Sequence, residues 1–252
     1  MIYCFSFERQ KKLSFSADSV LIRAAKPEAA MDRYARNKGV VTSSEQALLA
    51  ASNVFIAGLG GLGGYCLEML ARLGAGRMTG ADCGRFEPSN LNRQLLCGEN
   101  TLGMKKAQAA ALRAAAINPS VCFTGVEERI TATNAARLIH GHDIVIDALD
   151  SRHTRKILEQ ACENEQIPLV HGAVEGLHAQ AALILPGERL LERLYTGRKA
   201  RGTPPAVPSF TPAAAALQVS LALKVLLKRP LPAPGTLYLL DLDTLEMAQI
   251  VV

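Results

Sequence analysis

The string Gly58-Leu59-Gly60-Gly61-Leu62-Gly63 follows a short apolar run, Asn53 to Ala57, and precedes apolar residues at helical spacing that include Leu67, Leu70 and Leu73. Small residues between a strand and a helix let the backbone approach a phosphate and present it to a helix N-terminus, whose unpaired N–H groups favour an anion. Asp82 closes the next apolar run, Arg77 to Ala81, where a carboxylate can accept hydrogen bonds from ribose hydroxyls. A glycine turn can also serve packing alone, and to this point nicotinamide or flavin binding fits equally well. The next stretch, Phe86-Glu87-Pro88-Ser89-Asn90-Leu91-Asn92-Arg93-Gln94 and then Gly103-Met104-Lys105-Lys106, adds fixed cations and amides. These suit the several negative charges of a nucleoside triphosphate better than a hydride carrier. Asp150 ends Asp147-Ala148-Leu149-Asp150 at the C-terminal end of another strand, the edge where open α/β sheets bind ligands, and its hard oxygens suit Mg2+. It could equally cap the helix that follows, and Arg93 alone could be a solvated surface charge.

These groups need a frame that gathers strand ends, and the chain's periodicity predicts one. Strands are expected at 53–57, 77–81, 121–126, 143–147, 168–170 and 179–185, with helices at 65–73, 102–117, 154–165 and 212–228. The second of these helices is Ala-rich and is stopped by Asn118-Pro119. Residues 186–212, with Pro186, Pro204, Pro205, Pro208 and Pro212, read as one long crossover loop, and Thr236 to Leu240 with Leu245 to Val252 read as a closing hairpin. The expected fold is α/β, a Rossmann-like and mostly parallel sheet with helices on both faces and C-terminal antiparallel strands. Residues 1–30 are polar, basic and aperiodic and are expected to be a flexible extension or an over-extended start, since Met31 offers a second initiation point. Residues 31–252 are expected to form one domain, with a nucleotide-binding half at about 52–150 and a second half at about 168–252 that carries the crossover loop.

With 252 residues, 49% hydrophobic and 20% charged, the chain can bury a sizeable core, which excludes disordered and fibrous classes. The apolar stretch Ala213 to Leu227 is interrupted by Gln218 and Lys224 and falls short of a membrane span. Glu8, Arg9, Lys11 and Lys12 stand where a signal peptide needs an apolar region. Cys4, Cys66, Cys83, Cys97, Cys122 and Cys162 are scattered without a Cys-x-x-Cys pair, as expected of free thiols in a cytoplasmic protein. The five histidines are assigned to structure, having no shared spacing. The net charge of +5 is modest for a nucleic-acid-binding chain, yet it is divided unevenly: +4 over residues 1–38, −2 over 39–185, +6 over 186–230 and −3 over 231–252.

Arg33-Tyr34-Ala35-Arg36, the glycine turn, Asp82, Ser89-Asn90-Leu91-Asn92-Arg93-Gln94, Lys106 and Asp150-Ser151-x-x-Thr154-Arg155 together resemble the ThiF/MoeB/HesA family, bacterial relatives of ubiquitin-activating enzymes. The resemblance runs from about Arg33 to the C-terminus and implies MgATP-dependent adenylation of the C-terminal glycine of a small ubiquitin-fold sulfur carrier, for thiamine or molybdopterin synthesis. It implies that Gly58, Gly60, Gly61 and Gly63, with Gln94, hold the nucleotide and that Asp82 binds ribose. It further implies that Asn90, Arg93 and Lys106 contact ribose and phosphates, that Asp150 carries Mg2+, and that Arg36 reaches ATP in the partner protomer of a homodimer. Many members hold zinc on two Cys-x-x-Cys pairs; both pairs are missing here, so no zinc is expected. Residues 186–212 lack the cysteine that serves relatives as a nucleophile, and Gly84 replaces a second acid, putting nucleotide or Mg2+ geometry in question. A tRNA-modifying dehydratase that adenylates a carboxylate on tRNA, and a non-catalytic carrier-binding relative, are the alternatives.

Overall fold

The computed structural model describes Ile2–Cys4, residues 33–196 and residues 210–252. Nine strands form one sheet: β1 (Ile2–Cys4), β2 (Asn53–Ala57), β3 (Arg77–Ala81), β4 (Cys122–Val126), β5 (Ile144–Asp147), β6 (Leu169–Glu175), β7 (His178–Ile184), β8 (Thr236–Asp241) and β9 (Glu246–Val251). Their spatial order is β1-β4-β3-β2-β5-β6-β7-β8-β9. The run from β4 to β6 is parallel, whereas β1 pairs antiparallel with β4, and β6 to β9 form an antiparallel meander.

The expected α/β architecture, with its antiparallel C-terminal strands, is what the chain adopts. Side chains alternate across β2: Val54 and Ile56 enter one apolar layer, Phe55 and Ala57 the other. The first layer is covered by α2 (Gly61–Leu73), α3 (Lys106–Ile117) and α7 (Phe210–Leu226). The second is covered by α4 (Ala135–Ile139), α5 (Arg152–Glu165) and α6 (Leu190–Tyr195). A further helix, α1 (Ser43–Ala51), is set by a capping box in which Thr42 and Glu45 each accept the other's backbone N–H.

Three details differ from the sequence-based reading. The helix expected from 102 begins at Lys106, because Gly103 adopts φ +78° and Phe86 and Met104 pair their backbones around it. Within the expected crossover loop, residues 190–195 form α6, whose N-terminal amides are capped by the distant Glu159 carboxylate: Leu191 N–H at 2.7 Å and Glu192 N–H at 3.0 Å. Residues 197–209 of that loop lie outside the described residues, and 210–212 open α7. At the N-terminus, Ile2–Cys4 joins the sheet edge instead of standing apart, and the other residues of the expected extension, Met1 and 5–30, lie outside the description. The closing strand β9 is exposed along its length, Met247 and Val251 included.

From β2 the chain crosses to β3 on one side, and β5 pairs on the other side of β2. The sheet's topological switch therefore falls between the C-terminal ends of β2 and β5, the crevice position at which open α/β sheets bind ligands.

Candidate active site

The glycine turn occupies that crevice. Gly58, at the end of β2, has φ +92°, and a Cβ there would stand 2.8 Å from the Ala148 carbonyl oxygen beyond β5. A Cβ at Gly63 would overlap the Gly58 carbonyl outright, so this residue sets how closely α2 approaches β2. Gly63→Ala is therefore expected to cost roughly 3 kcal/mol of stability through overpacking against backbone, measurable by urea unfolding.

Asp82 ties the turn to β3: its Oδ2 accepts Leu59 N–H at 2.9 Å and its Oδ1 accepts Gly84 N–H at 2.8 Å. A side chain at position 84 would begin 3.0 Å from Asp82 Oδ1 and 3.6 Å from Lys106 Cε. Glycine thus leaves the space between Asp82 and the Lys106 stem open. Lys106 stands at the start of α3, its backbone N–H on the Gly84 carbonyl at 3.0 Å and its ammonium 5.7 Å from the Phe86 ring centroid.

The segment after Phe86 folds back over the turn. Buried Asn90 accepts Glu87 N–H and donates to Ser89 Oγ, both at 3.3 Å, which shapes a tight turn around Pro88–Asn90. Arg93 Nη1 donates to Ser89 O at 2.9 Å and Asn92 Oδ1 at 2.8 Å. The Gln94 amide packs 3.6 Å from where a Gly60 Cβ would be, and among the described residues its buried Oε1 has no hydrogen-bond partner. A buried acceptor without a donor carries a desolvation cost, and here it faces the glycine turn. From α7, Thr211 Cγ2 approaches Gly61, and Thr211 Oγ1 donates to the Arg93 carbonyl at 3.4 Å.

On the opposite wall the cap of α5 is Ser151, whose Oγ accepts Thr154 N–H at 3.3 Å. Asp150 is thereby spared the capping role and stands exposed one residue earlier. Beneath it lies a buried network that the spacing of residues did not reveal. Asp147 Oδ2 meets His171 Nδ1 at 2.7 Å, which assigns the proton to Nδ1 and leaves Nε2 to accept from Tyr195 OH (3.3 Å) and the Gln180 amide (3.0 Å). Arg155 Nη1 donates to Tyr195 OH at 2.9 Å, and its Nε lies 3.6 Å from Asp147 Oδ2. Asp147 and His171 have no solvent access, so the pair is architecture, as the assignment of His171 to structure expected.

Burial holds the His171 imidazole below the ordinary histidine range, in spite of Asp147. An unfolded histidine takes a proton near pH 6.5, so neutral His171 contributes stability above that pH and loses it as the pH falls below it. The melting temperature is expected to drop between about pH 7 and pH 5, with a shallower slope in His171→Gln. Calorimetric melts across that range check this; an unchanged slope would assign the titration to His142, which burial also holds low.

The crevice thus gathers Gly58, Gly60, Gly61, Gly63, Asp82, Asn90, Arg93, Gln94 and Lys106 on one side of the switch and Asp150 on the other. Arg36 is not among them. It sits exposed on a single turn beside Tyr34, whose hydroxyl accepts from Asn118 at 2.8 Å and packs on Gly74 at the C-terminal ends of α3 and α2, the far end of the sheet.

The ThiF family model matches residues 34–251, and the chain belongs to that family. It is 35% identical over 177 residues to the SAMP-activating enzyme E1 of Haloferax volcanii (69% of this chain, 66% of that one). It is 35% identical over 203 residues to the sulfur carrier protein ThiS adenylyltransferase of Bacillus subtilis (77% and 60%). It is 34% identical over 227 residues to the sulfur carrier protein adenylyltransferase of Thermus thermophilus (84% and 83%). The chain spans less than two thirds of the length of the first two relatives. Among solved structures, the E. coli tRNA N6-threonylcarbamoyladenosine dehydratase superposes with a TM-score of 0.69 at 27% identity, covering 83% of this chain and 98% of that one.

Proposed function

We propose that this chain is an ATP-dependent adenylyltransferase acting on the C-terminal glycine of a ubiquitin-fold sulfur-carrier protein, in thiamine or molybdopterin synthesis. The observation that carries the reading is the glycine turn at the β2/β5 switch, with Lys106 beside Asp82 and Gly84, the segment that holds Arg93 and Gln94 folded against Gly60 and Gly61, and the exposed Asp150 just after β5. The orphaned Gln94 Oε1 fits a donor group from a nucleotide in that cradle.

A peptide C-terminus ionises near pH 3.5, so at neutral pH the nucleophile needs no general base. One carboxylate oxygen attacks the α-phosphorus, the bond to the bridging oxygen breaks, and pyrophosphate leaves with the displaced electron pair, giving acyl-adenylate. Like charges must be brought together and pyrophosphate stabilised, and that work falls to positioned cations. Arg93 and Lys106 would hold phosphate oxygens, and Asp82, on its remaining lone pairs, the ribose. Among the described residues no three His, Cys, Asp or Glu side chains cluster as a metal cage. Mg2+ bound through phosphates needs only one or two carboxylates, which Asp150 fits; when bound, the ion neutralises phosphate charge. Among the described residues no helix is long and apolar enough to cross a membrane; a cytoplasmic homodimer is part of the proposed reading.

The test is carrier-dependent exchange of labelled pyrophosphate into ATP, using small Gly-Gly-ended proteins from the same genome. No exchange with any of them would sink the reading. A second reading, a dehydratase acting on a tRNA carboxylate, draws support from the likeness to the tRNA enzyme and from the +6 segment at 186–230. The same bases could steer an acidic carrier. Retention of tRNA on filters at physiological salt would favour the dehydratase.

A further inference from the structure

Asp150 is a short loop residue that must hold its carboxylate still, and both of its neighbours are pinned. Ser151 is committed to the α5 cap. Leu149 is gripped at both ends of its backbone: its N–H donates to Asp147 Oδ1 at 3.0 Å, and its carbonyl accepts from Arg155 Nε at 2.9 Å and from Arg155 Nη2. The same guanidinium reaches the Gly172 carbonyl at 3.1 Å and Tyr195 OH at 2.9 Å. Tyr195, at the end of α6, is oriented in turn by His171 and Gln180 and is stacked under Arg152, 5.3 Å from the ring centroid.

We infer that Arg155, fixed by Tyr195 and the Asp147–His171 pair, is the positioning residue that sets the Asp150 carboxylate for a phosphate-bound divalent cation. The inference rests on the adenylyltransferase reading, in which Asp150 faces Mg2+. Its physical basis is the planar fork: one guanidinium spans the Leu149 carbonyl, the Gly172 carbonyl and the Tyr195 hydroxyl, a set of directions that a lysine ammonium cannot hold together. The tyrosine hydroxyl supplies the acceptor that fixes the rotation of the fork. Arg155 and Tyr195 are both buried, so they act through Asp150 and not on the nucleotide.

The experiment is calorimetric titration of the full chain with ATP, once with MgCl2 and once with EDTA, for the unaltered protein, Tyr195→Phe, Arg155→Lys, Asp150→Asn and the double variant Tyr195→Phe/Asp150→Asn. The gain in ATP affinity on adding Mg2+ is expected to fall about tenfold in Tyr195→Phe, in the range seen when outer-shell partners of a metal ligand are removed. Affinity in EDTA should stay within about twofold, and the double variant should lose no more of the gain than Asp150→Asn alone, the non-additivity of coupled residues. Tyr195→Phe keeps the ring and the packing, so it serves if Arg155→Lys does not fold. A full Mg2+ gain in folded Tyr195→Phe overturns the inference, as does an equal loss of affinity with and without the metal. Absence of ATP binding by the unaltered chain under both conditions overturns the adenylyltransferase reading and the positioning role with it.

Discussion

Replacing Arg93 by alanine is expected to lower carrier-dependent pyrophosphate exchange by about 10²–10³-fold, the usual cost of removing one preorganised donor from developing charge. Arg93 spends Nη1 on Ser89 O and Asn92 Oδ1, which fixes the plane of the guanidinium. Among the described residues the other edge of the fork makes no hydrogen bond, and on the proposed reading it takes phosphate oxygens. The loss should fall mainly on kcat, because the charge on departing pyrophosphate grows only as the reaction proceeds. Arg93→Lys keeps the charge but not the two-point geometry and should recover only part of the rate. An Arg93→Ala enzyme within tenfold of the unaltered protein would show that the charge is stabilised elsewhere.

The second large effect concerns Arg36. Its turn packs at the C-terminal ends of α2 and α3, and the glycine turn lies at the opposite end of strands five residues long, about 16 Å away along the sheet. Within one protomer the side chain cannot serve its own crevice, so any catalytic role is played in a partner's. Arg36→Ala and Asp150→Ala should each be nearly inactive alone. Subunits mixed after dissociation should regain about a quarter of the unaltered activity, because half of randomly formed two-fold dimers are mixed and each mixed dimer holds one intact site. Rate measurements on a mixing series provide the check, and two inactive parents with no recovery on mixing would exclude Arg36 from the partner's site.

The parts of this site that were legible in the sequence are those in which local spacing carries the meaning. A strand, a glycine turn and a helix within about twenty residues leave a pattern because each element is set by its own periodicity and by small residues at the junction. Asp82 is legible for the same reason, as the residue that directly follows the next strand. The Asp147–His171–Tyr195–Arg155 network left no such trace, since its members stand on β5, β6, α6 and α5 and only the fold brings them within hydrogen-bonding range. Helix α6 leaves no local signal because its cap, Glu159, lies more than thirty residues earlier in the chain. Asp150 was ambiguous between ligand and cap until the structure assigned the cap to Ser151. The start of α3 falls later than periodicity suggests because Gly103, with its positive φ, separates Leu102 from the alanine-rich run that begins at Ala107. For Gly84 the question is one of space, and the distances around Asp82 and Lys106 show that its missing side chain keeps the approach between them open.

The two outer edges of the sheet are unequal, and this bears on how copies of the chain can assemble. β9 offers six residues with Met247, Ile250 and Val251 exposed, a template for strand pairing, whereas β1 offers three. Head-to-tail stacking of sheets would have to join these unlike edges and could repeat without limit, the route by which a soluble protein grows into filaments. Among the described residues the short β1 edge matches only half of β9, so open-ended growth has little ladder to build on. The proposed homodimer, in which an Arg36 from one subunit meets the site of the other, closes on itself and needs no such ladder.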